Sequence, residues 1–188
     1  DPFSGTGTFI SRLLQSGVMS KDQIRRKFKS EIHANEIVLL AYYIACINIE
    51  AVYDDLVKPD NYTSFNNIVL TDTFQLSEPK DDEISDLLPE NSKRRTKQKL
   101  TDFKVIIGNP PYSVHNRTEY PQLTEKYKRE IVDQSIAKHR SSLYDTFYKA
   151  IFWATENLKN EGITAFVVNN SWIKSSMSDS FRKYLSKN

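Results

Sequence analysis

Short apolar runs recur along this chain, separated by amphipathic or polar stretches. Asn67-Ile68-Val69-Leu70, Val105-Ile106-Ile107 and Ile163 to Val168 are too short for helices and rich in β-branched side chains, so they read as buried strands. Phe9, Ile10, Leu13 and Leu14 recur at helical spacing and predict a helix ending near Gly17. Ser20 with Gln23 has capping-box spacing and opens a charged, partly exposed helix over Lys21 to Lys29. Lys29 to His33 then predicts a short strand ending near Glu31. Asn35 to Tyr53 is the longest helix candidate and is apolar almost all round, so it is expected to be sandwiched in the core. Later helices are predicted from Leu123 to about His139, from Leu143 to Leu158 with Phe147, Ile151, Ala154 and Leu158 near one face, and from Met177 to Leu185.

Between these elements, Gln75 to Lys104 has no strong period and contains Pro79 and Pro89; it reads as a surface insertion over 75–104 with a short helix around Glu83 to Leu88. Ser113 to Pro121 is also irregular. Helices alternating with apolar strands predict an α/β fold with a doubly wound, mostly parallel sheet. No internal repeat is present.

Composition narrows the picture little. With 39% hydrophobic and 27% charged residues among 188, the chain is an ordinary globular sequence. Its net charge of +2 hides an acidic run, Asp81-Asp82-Glu83, near a basic one, Lys93 to Lys99, and does not by itself indicate nucleic acid. The basic run reads first as a solvated face. The single cysteine, Cys46, excludes an internal disulfide and fits a reducing compartment. No apolar run reaches the roughly 18 residues a membrane span needs, so a cytoplasmic protein without membrane partners is expected. The chain opens without Met on Asp1-Pro2-Phe3 and is expected to be part of something longer.

Candidate chemistry gathers at strand ends. Asp1-Pro2-Phe3-Ser4-Gly5-Thr6-Gly7 is a Gly-x-Gly turn handing over to a helix, the geometry of a phosphate or nucleoside loop, with Asp1 placed to bind an ammonium group. It is not a Walker A loop. Glu31, about 24 residues beyond Gly7, lies near the spacing at which a nucleoside-binding fold places a ribose acid; Glu36, expected in the first turn of the next helix, is the competitor. Asp72, in Thr71-Asp72-Thr73-Phe74, follows a strand and can accept from an adenine amino group. Gly108-Asn109-Pro110-Pro111-Tyr112 ends another strand: the prolines stop the ladder and leave an amide, carbonyls and an aromatic ring on a rigid end. His33 reads as structural, and His115 and His139 lack partners at metal-ligand spacing, so no metal site is expected.

These motifs carry a resemblance. Asp1 to Gly7 resembles motif I of the S-adenosylmethionine-dependent amino-methyltransferases, and Asn109-Pro110-Pro111-Tyr112 is identical to their motif IV. The motif order resembles the gamma class of adenine-N6 DNA methyltransferases. Glu31 falls where that family's motif II acid binds the ribose, Asp72 to Phe74 where motif III binds the cofactor adenine, and Phe166 to Trp172 is similar to motif VI. More particularly, Asp1 to Gly17, Glu31 to Glu50, Ile68 to Leu76 and Leu143 to Trp172 resemble the methyltransferase part of type ISP restriction-modification enzymes, which join it to nuclease and helicase-like regions.

The resemblance implies a Rossmann-like methyltransferase fold, with residues 1–188 as a catalytic core carrying motifs I to VI, and motif X, the late strands and the target-recognition domain outside it. The central strand would precede Asp1, so residues 1–188 alone are expected to lack a stable central pairing. The implied cofactor is S-adenosyl-L-methionine, held by Asp1, Pro2, Phe3, Gly5, Thr6, Gly7, Glu31, Asp72, Thr73 and Phe74; Asn109, Pro110, Pro111 and Tyr112 would be catalytic. The implied partner is double-stranded DNA with a flipped adenine. Glutamine methyltransferases acting on proteins use the same tetrapeptide, and a non-catalytic DNA- or cofactor-binding scaffold is a further alternative.

Overall fold

Two parallel strand pairs form, each with its own helices, because each apolar run finds one partner of matching length. The computed structural model describes residues 1–79, 88–112, 120–137, 140–158 and 161–188. It divides into one unit of Asp1–Leu76 with Asp81–Thr101 and another of Ser77–Lys80 with Asp102–Asn188.

In the first unit, β1 (Ala34–Glu36) pairs with β2 (Ile68–Leu70) in parallel, Ala34 opposite Ile68 and Glu36 opposite Leu70. The Asp1–Ser4 backbone joins the other edge of β1: the Asn35 amide donates to the Asp1 carbonyl at 3.0 Å and the Ser4 amide to the Asn35 carbonyl at 2.9 Å. Helices α1 (Thr8–Gln15), α2 (Lys21–Ser30) and α3 (Leu39–Val57) bury Ile10, Leu14, Ile24, Phe28, Ile49 and Tyr53 together with Ile68. Phe28 stacks on Tyr53 with ring centroids 3.8 Å apart. Each such side chain stabilises by about 1.5–3 kcal/mol, so this cluster anchors the unit. The capping box forms: the Gln23 amide donates to Ser20 Oγ and the Ser20 amide to Gln23 Oε1. Helix α4 (Pro89–Lys99) packs on β2, and the Asn91 side chain bonds both the amide and the carbonyl of Leu70, at 2.8 and 2.9 Å, as a neighbouring strand would.

In the second unit, β3 (Val105–Gly108) pairs with β4 (Ile163–Phe166), again in parallel, and the Val167 amide extends the ladder to the Gly108 carbonyl at 3.0 Å. Helix α5 (Pro121–Tyr127) runs into a π turn over Lys128–Val132, and buried Glu78 accepts from the Gln122 and Leu123 amides in its first turn. Helix α6 (Thr146–Asn157) is buried from Phe147 to Ala154 and forms the core with Leu123, Tyr127, Leu143 and Phe181. A single turn, α7 (Ser171–Lys174), and α8 (Asp179–Leu185) complete the unit.

Several expectations are corrected. The strand expected over Lys29 to His33 is instead the end of α2 and the turn after it, because the capping box starts a helix that runs through Ser30; the strand begins at Ala34. Asn35 and Glu36 therefore lie in a strand, and α3 starts only at Leu39. Helix α3 is not sandwiched: Leu40, Tyr43, Ile44 and Ile47 form an exposed stripe opposite buried Ala45 and Ile49. Within the expected insertion, the 11 residues Pro89–Lys99 form helix α4, held by buried Asn91, Arg95 and Gln98. The short helix expected near Glu83 falls largely on residues 80–87, and His115 and His139 fall on 113–119 and 138–139, all outside the described residues. The expected Leu123–His139 helix gives way at Val132. The described strands are all parallel and form two pairs in a mixed α/β chain. Among the described residues, no helix is long and apolar enough to cross a membrane, and no cluster of three or more His, Cys, Asp or Glu could hold a metal ion.

Candidate functional site

The first unit folds the N-terminal loop around the end of β1. Asp1 Oδ1 accepts from the Phe3 amide at 3.2 Å, Ser4 Oγ donates to the Asp1 carbonyl at 3.0 Å, and the Gly7 amide closes the turn on the Ser4 carbonyl at 2.8 Å. Gly5 and Gly7 have φ of +53° and +81°, where a side chain is disfavoured. At Gly7 space is also tight, since a Cβ would lie 3.0 Å from the Ile49 side chain and 3.2 Å from Ala45 Cα. The loop is thereby pressed onto α3, and Asn48 holds it by donating to the Thr6 carbonyl at 2.9 Å.

Glu36, at the carboxyl end of β1, closes the same loop from beneath. Its Oε2 accepts from the Gly5 amide and its Oε1 from the Val38 amide, both at 2.7 Å. Glu31 is elsewhere: it caps the end of α2, ahead of the strand, and pairs with Lys27 at 2.7 Å and Arg26 at 2.8 Å. The Lys27 ammonium, with Arg26, holds its carboxyl below the usual range. Asp72 and Phe74 follow β2 on the same edge as Glu36, with Thr71 donating its amide to the Glu36 carbonyl at 2.9 Å. Asp72 Oδ1 accepts from the Phe74 amide at 2.9 Å. Thr73 turns inward, its buried hydroxyl donating to the Pro2 carbonyl, and Phe74 packs on Phe3 with centroids 5.7 Å apart. The structure thus brings Asp1 to Gly7, Glu36 and Asp72 to Phe74 together and leaves Glu31 out. One atom of this group stands out: Asp1 Oδ2 is buried without a hydrogen-bond partner, a carboxylate oxygen awaiting a donor.

In the second unit, Asn109 to Tyr112 leaves β3 at its carboxyl end. Pro110 is buried, while Asn109 is exposed and its side chain bonds to none of the described residues. Thr146 Oγ donates to the Pro111 carbonyl at 2.6 Å. Tyr112 donates its hydroxyl to the Val167 carbonyl at 3.0 Å, its ring 5.9 Å from that of Phe147 and 50% exposed. The segment after β4, read as motif VI, therefore braces Tyr112.

The sequence did not single out Thr146, Asn48 or Ile37. Thr146 carries no local signal, since its partner is remote in the chain. Asn48 does: it is the one amide in the apolar run Leu39 to Ile49. Ile37, apolar yet 61% exposed beside Glu36, is recognisable only once the strand is placed.

Comparison with known proteins gives a consistent setting. Residues 13–188 match the family described as Eco57I restriction-modification methylase. The chain is 40% identical over 84 residues to modification methylase CviBIII of Paramecium bursaria Chlorella virus NC1A, covering 44% of this chain and 19% of that protein. It is 32% identical over 99 residues to type II methyltransferase M.HincII of Haemophilus influenzae, covering 52% and 19%. Among solved structures, the type ISP restriction-modification enzyme LlaGI in complex with a DNA substrate mimic superposes with a TM-score of 0.90 at 40% identity, covering 98% of this chain and 16% of that one. The ATP-dependent type ISP enzyme LlaBIII bound to DNA gives 0.90 at 39%, covering 98% and 14%, and the DrdV–DNA complex 0.88 at 38%, covering 98% and 18%. The chain spans less than a fifth of each of these relatives.

Proposed function

Because the chain belongs to the Eco57I restriction-modification methylase family, we propose that it is the catalytic core of a DNA methyltransferase that moves a methyl group from S-adenosylmethionine to the exocyclic amino group of adenine. The observation that carries this reading is the exposed Asn109 amide on a braced Pro-Pro turn at the carboxyl end of β3. On this reading each strand pair is part of a Rossmann-like methyltransferase fold, and the parent polypeptide carries helicase-like and nuclease regions.

The residues around the N-terminal loop fit the cofactor. Asp1 Oδ2, buried and unpartnered, would accept from its amino group. Glu36 would take the ribose hydroxyls, replacing Glu31 in that role; each of its oxygens accepts one backbone amide and retains a lone pair. Asp72 would receive the adenine amino group, with Ile37 against the ring. Bound, S-adenosylmethionine supplies an electrophilic sulfonium methyl.

An adenine amino nitrogen is a poor nucleophile because its lone pair is spread into the ring. The Asn109 side-chain carbonyl and the Pro110 backbone carbonyl would accept its two N–H bonds, drawing the nitrogen towards tetrahedral geometry and localising the pair. Once methylated, the nitrogen is acidic and loses its proton to water, so no dedicated base is required. The chain contributes position and preferential stabilisation of the transition state. Tyr112, held by its hydroxyl with the ring half exposed, would stack on a base flipped out of the duplex, an interaction worth about 1–3 kcal/mol.

Transfer of tritiated methyl groups from labelled cofactor, offered DNA and protein side by side, tests this: label in DNA, recovered as N6-methyladenine on nucleoside analysis, is expected. Label confined to glutamine of a protein acceptor would select the protein-methyltransferase alternative, and cofactor binding without transfer the scaffold.

A further inference from the structure

We propose that Thr146 is a positioning residue for this reaction, holding the Pro111 carbonyl so that the turn offers only the Asn109 amide and the Pro110 carbonyl to the target nitrogen. The inference rests on the methyl-transfer reading above. A Pro-Pro turn cannot lock itself, because neither proline has an N–H with which to bond back to the strand it leaves. Among the described residues, it is held by groups from elsewhere in its unit: Thr146 Oγ on the Pro111 carbonyl at 2.6 Å, the Val167 carbonyl on the Tyr112 hydroxyl at 3.0 Å, and the Phe147 ring beside that of Tyr112.

The anchor is firm. Thr146 and Phe147 are the first residues of α6, Asp145 Oδ1 accepts from the Phe147 amide at 3.4 Å, and the helix is buried from Phe147 to Ala154. The threonine side chain is β-branched with few rotamers, so the buried helix that carries it also fixes the direction of the hydroxyl bonded to Pro111.

The consequence is one of register. Asn109, Pro110 and Pro111 present acceptors in succession, and an amino group with two N–H bonds needs two of them. With Pro111 engaged by Thr146, and with no described residue bonded to the Pro110 carbonyl, the pair left for the target is Asn109 with Pro110. Without the Thr146 donor, the Pro111 carbonyl competes for the target amine, and the nitrogen is held away from its attack line.

The test compares Thr146→Val, which keeps shape and loses the donor, with Thr146→Ser, which keeps the donor. Both are made in the protein expressed with its native flanking sequence. Single-turnover methyl transfer to DNA is measured together with cofactor affinity by calorimetry and the thermal midpoint. The valine variant is expected to lose about 10–100-fold in transfer rate, with cofactor affinity and midpoint within error of wild type, and the serine variant to recover to within about threefold. A valine variant that transfers at the wild-type rate, a serine variant as slow as valine, or a rate loss matched by a fall in midpoint that makes Thr146 merely structural would each overturn the proposal. A wild-type protein that transfers nothing to DNA would overturn the methyl-transfer reading and this inference together.

Discussion

The Gly5 amide donates to Glu36 Oε2 at 2.7 Å, tying the N-terminal glycine loop to the last residue of the first strand across 31 positions of sequence. The same carboxylate takes the Val38 amide, so Glu36 organises both the loop and the entry to α3. Its neighbour in sequence, Glu31, does neither.

Glu36→Gln is therefore expected to weaken cofactor binding by about 10–100-fold, since each charge-assisted hydrogen bond to a carboxylate contributes about 1.5–3 kcal/mol. Glu31→Ala, which removes only two surface ion pairs, is expected to leave cofactor affinity unchanged. Calorimetric titration of both variants decides which acid serves the loop; equal losses would return Glu31 to the site.

Asn109→Ala is expected to reduce methyl transfer by about 100-fold or more, while cofactor affinity stays within error of wild type, because Asn109 lies in a different unit from the loop that would hold the cofactor. Parallel loss of rate and affinity would show that Asn109 does not act on the target alone.

At Gly7 both conformation and space oppose a side chain. Gly7→Ala is expected to destabilise by about 1–3 kcal/mol, since φ is +81° and the new Cβ would press on Ile49 and the α3 backbone. Gly5→Ala, with φ of +53° but nothing within 4 Å of the new Cβ, should cost less. Denaturant unfolding of the two variants ranks them; a Gly5 variant less stable than the Gly7 variant would contradict the packing argument.

His33 makes stability depend on pH. Burial, against the opposing pull of the Ser30 carbonyl, draws its ring down to about 4 from an ordinary value of 6.5. Above about pH 6.5 both folded and unfolded chains hold a neutral ring, and His33 adds no pH dependence. As pH falls below that, the unfolded chain binds a proton that the folded chain refuses, so stability drops with a slope of about one proton until the folded ring also charges near pH 4. Replacing His33 with Gln is expected to flatten this limb in unfolding experiments between pH 4 and 6.5; an unchanged slope would place the titration elsewhere.

Much of the site was legible because it is written in contiguous residues. The DPFSGTG loop and the NPPY turn need particular residue types at adjacent positions, prolines to end a ladder and glycines to take positive φ, and both appear in the structure as expected. The apolar strands β2, β3 and β4 and the helices α1, α2 and α6 were likewise readable from periodicity, whereas β1, with the sequence Ala-Asn-Glu, and the polar helix α4 lack such a signature. The capping box at Ser20 and Gln23 was read correctly, but its consequence was not carried far enough: the helix it starts runs through Ser30 and moves the strand to Ala34.

By itself, then, the sequence determined which tetrapeptide could do the chemistry, which loop could hold a nucleoside, and that the chain alternates helix and strand. Tertiary structure decided what those motifs lean on. Glu36 rather than Glu31 meets the glycine loop because three residues of register separate helix from strand, and Thr146 holds Pro111 because α6 begins beside β3. Both are contacts between residues more than 30 positions apart, formed by side chains whose local sequence gives no hint of their partner; only the packing of buried faces brings them within a hydrogen bond's reach.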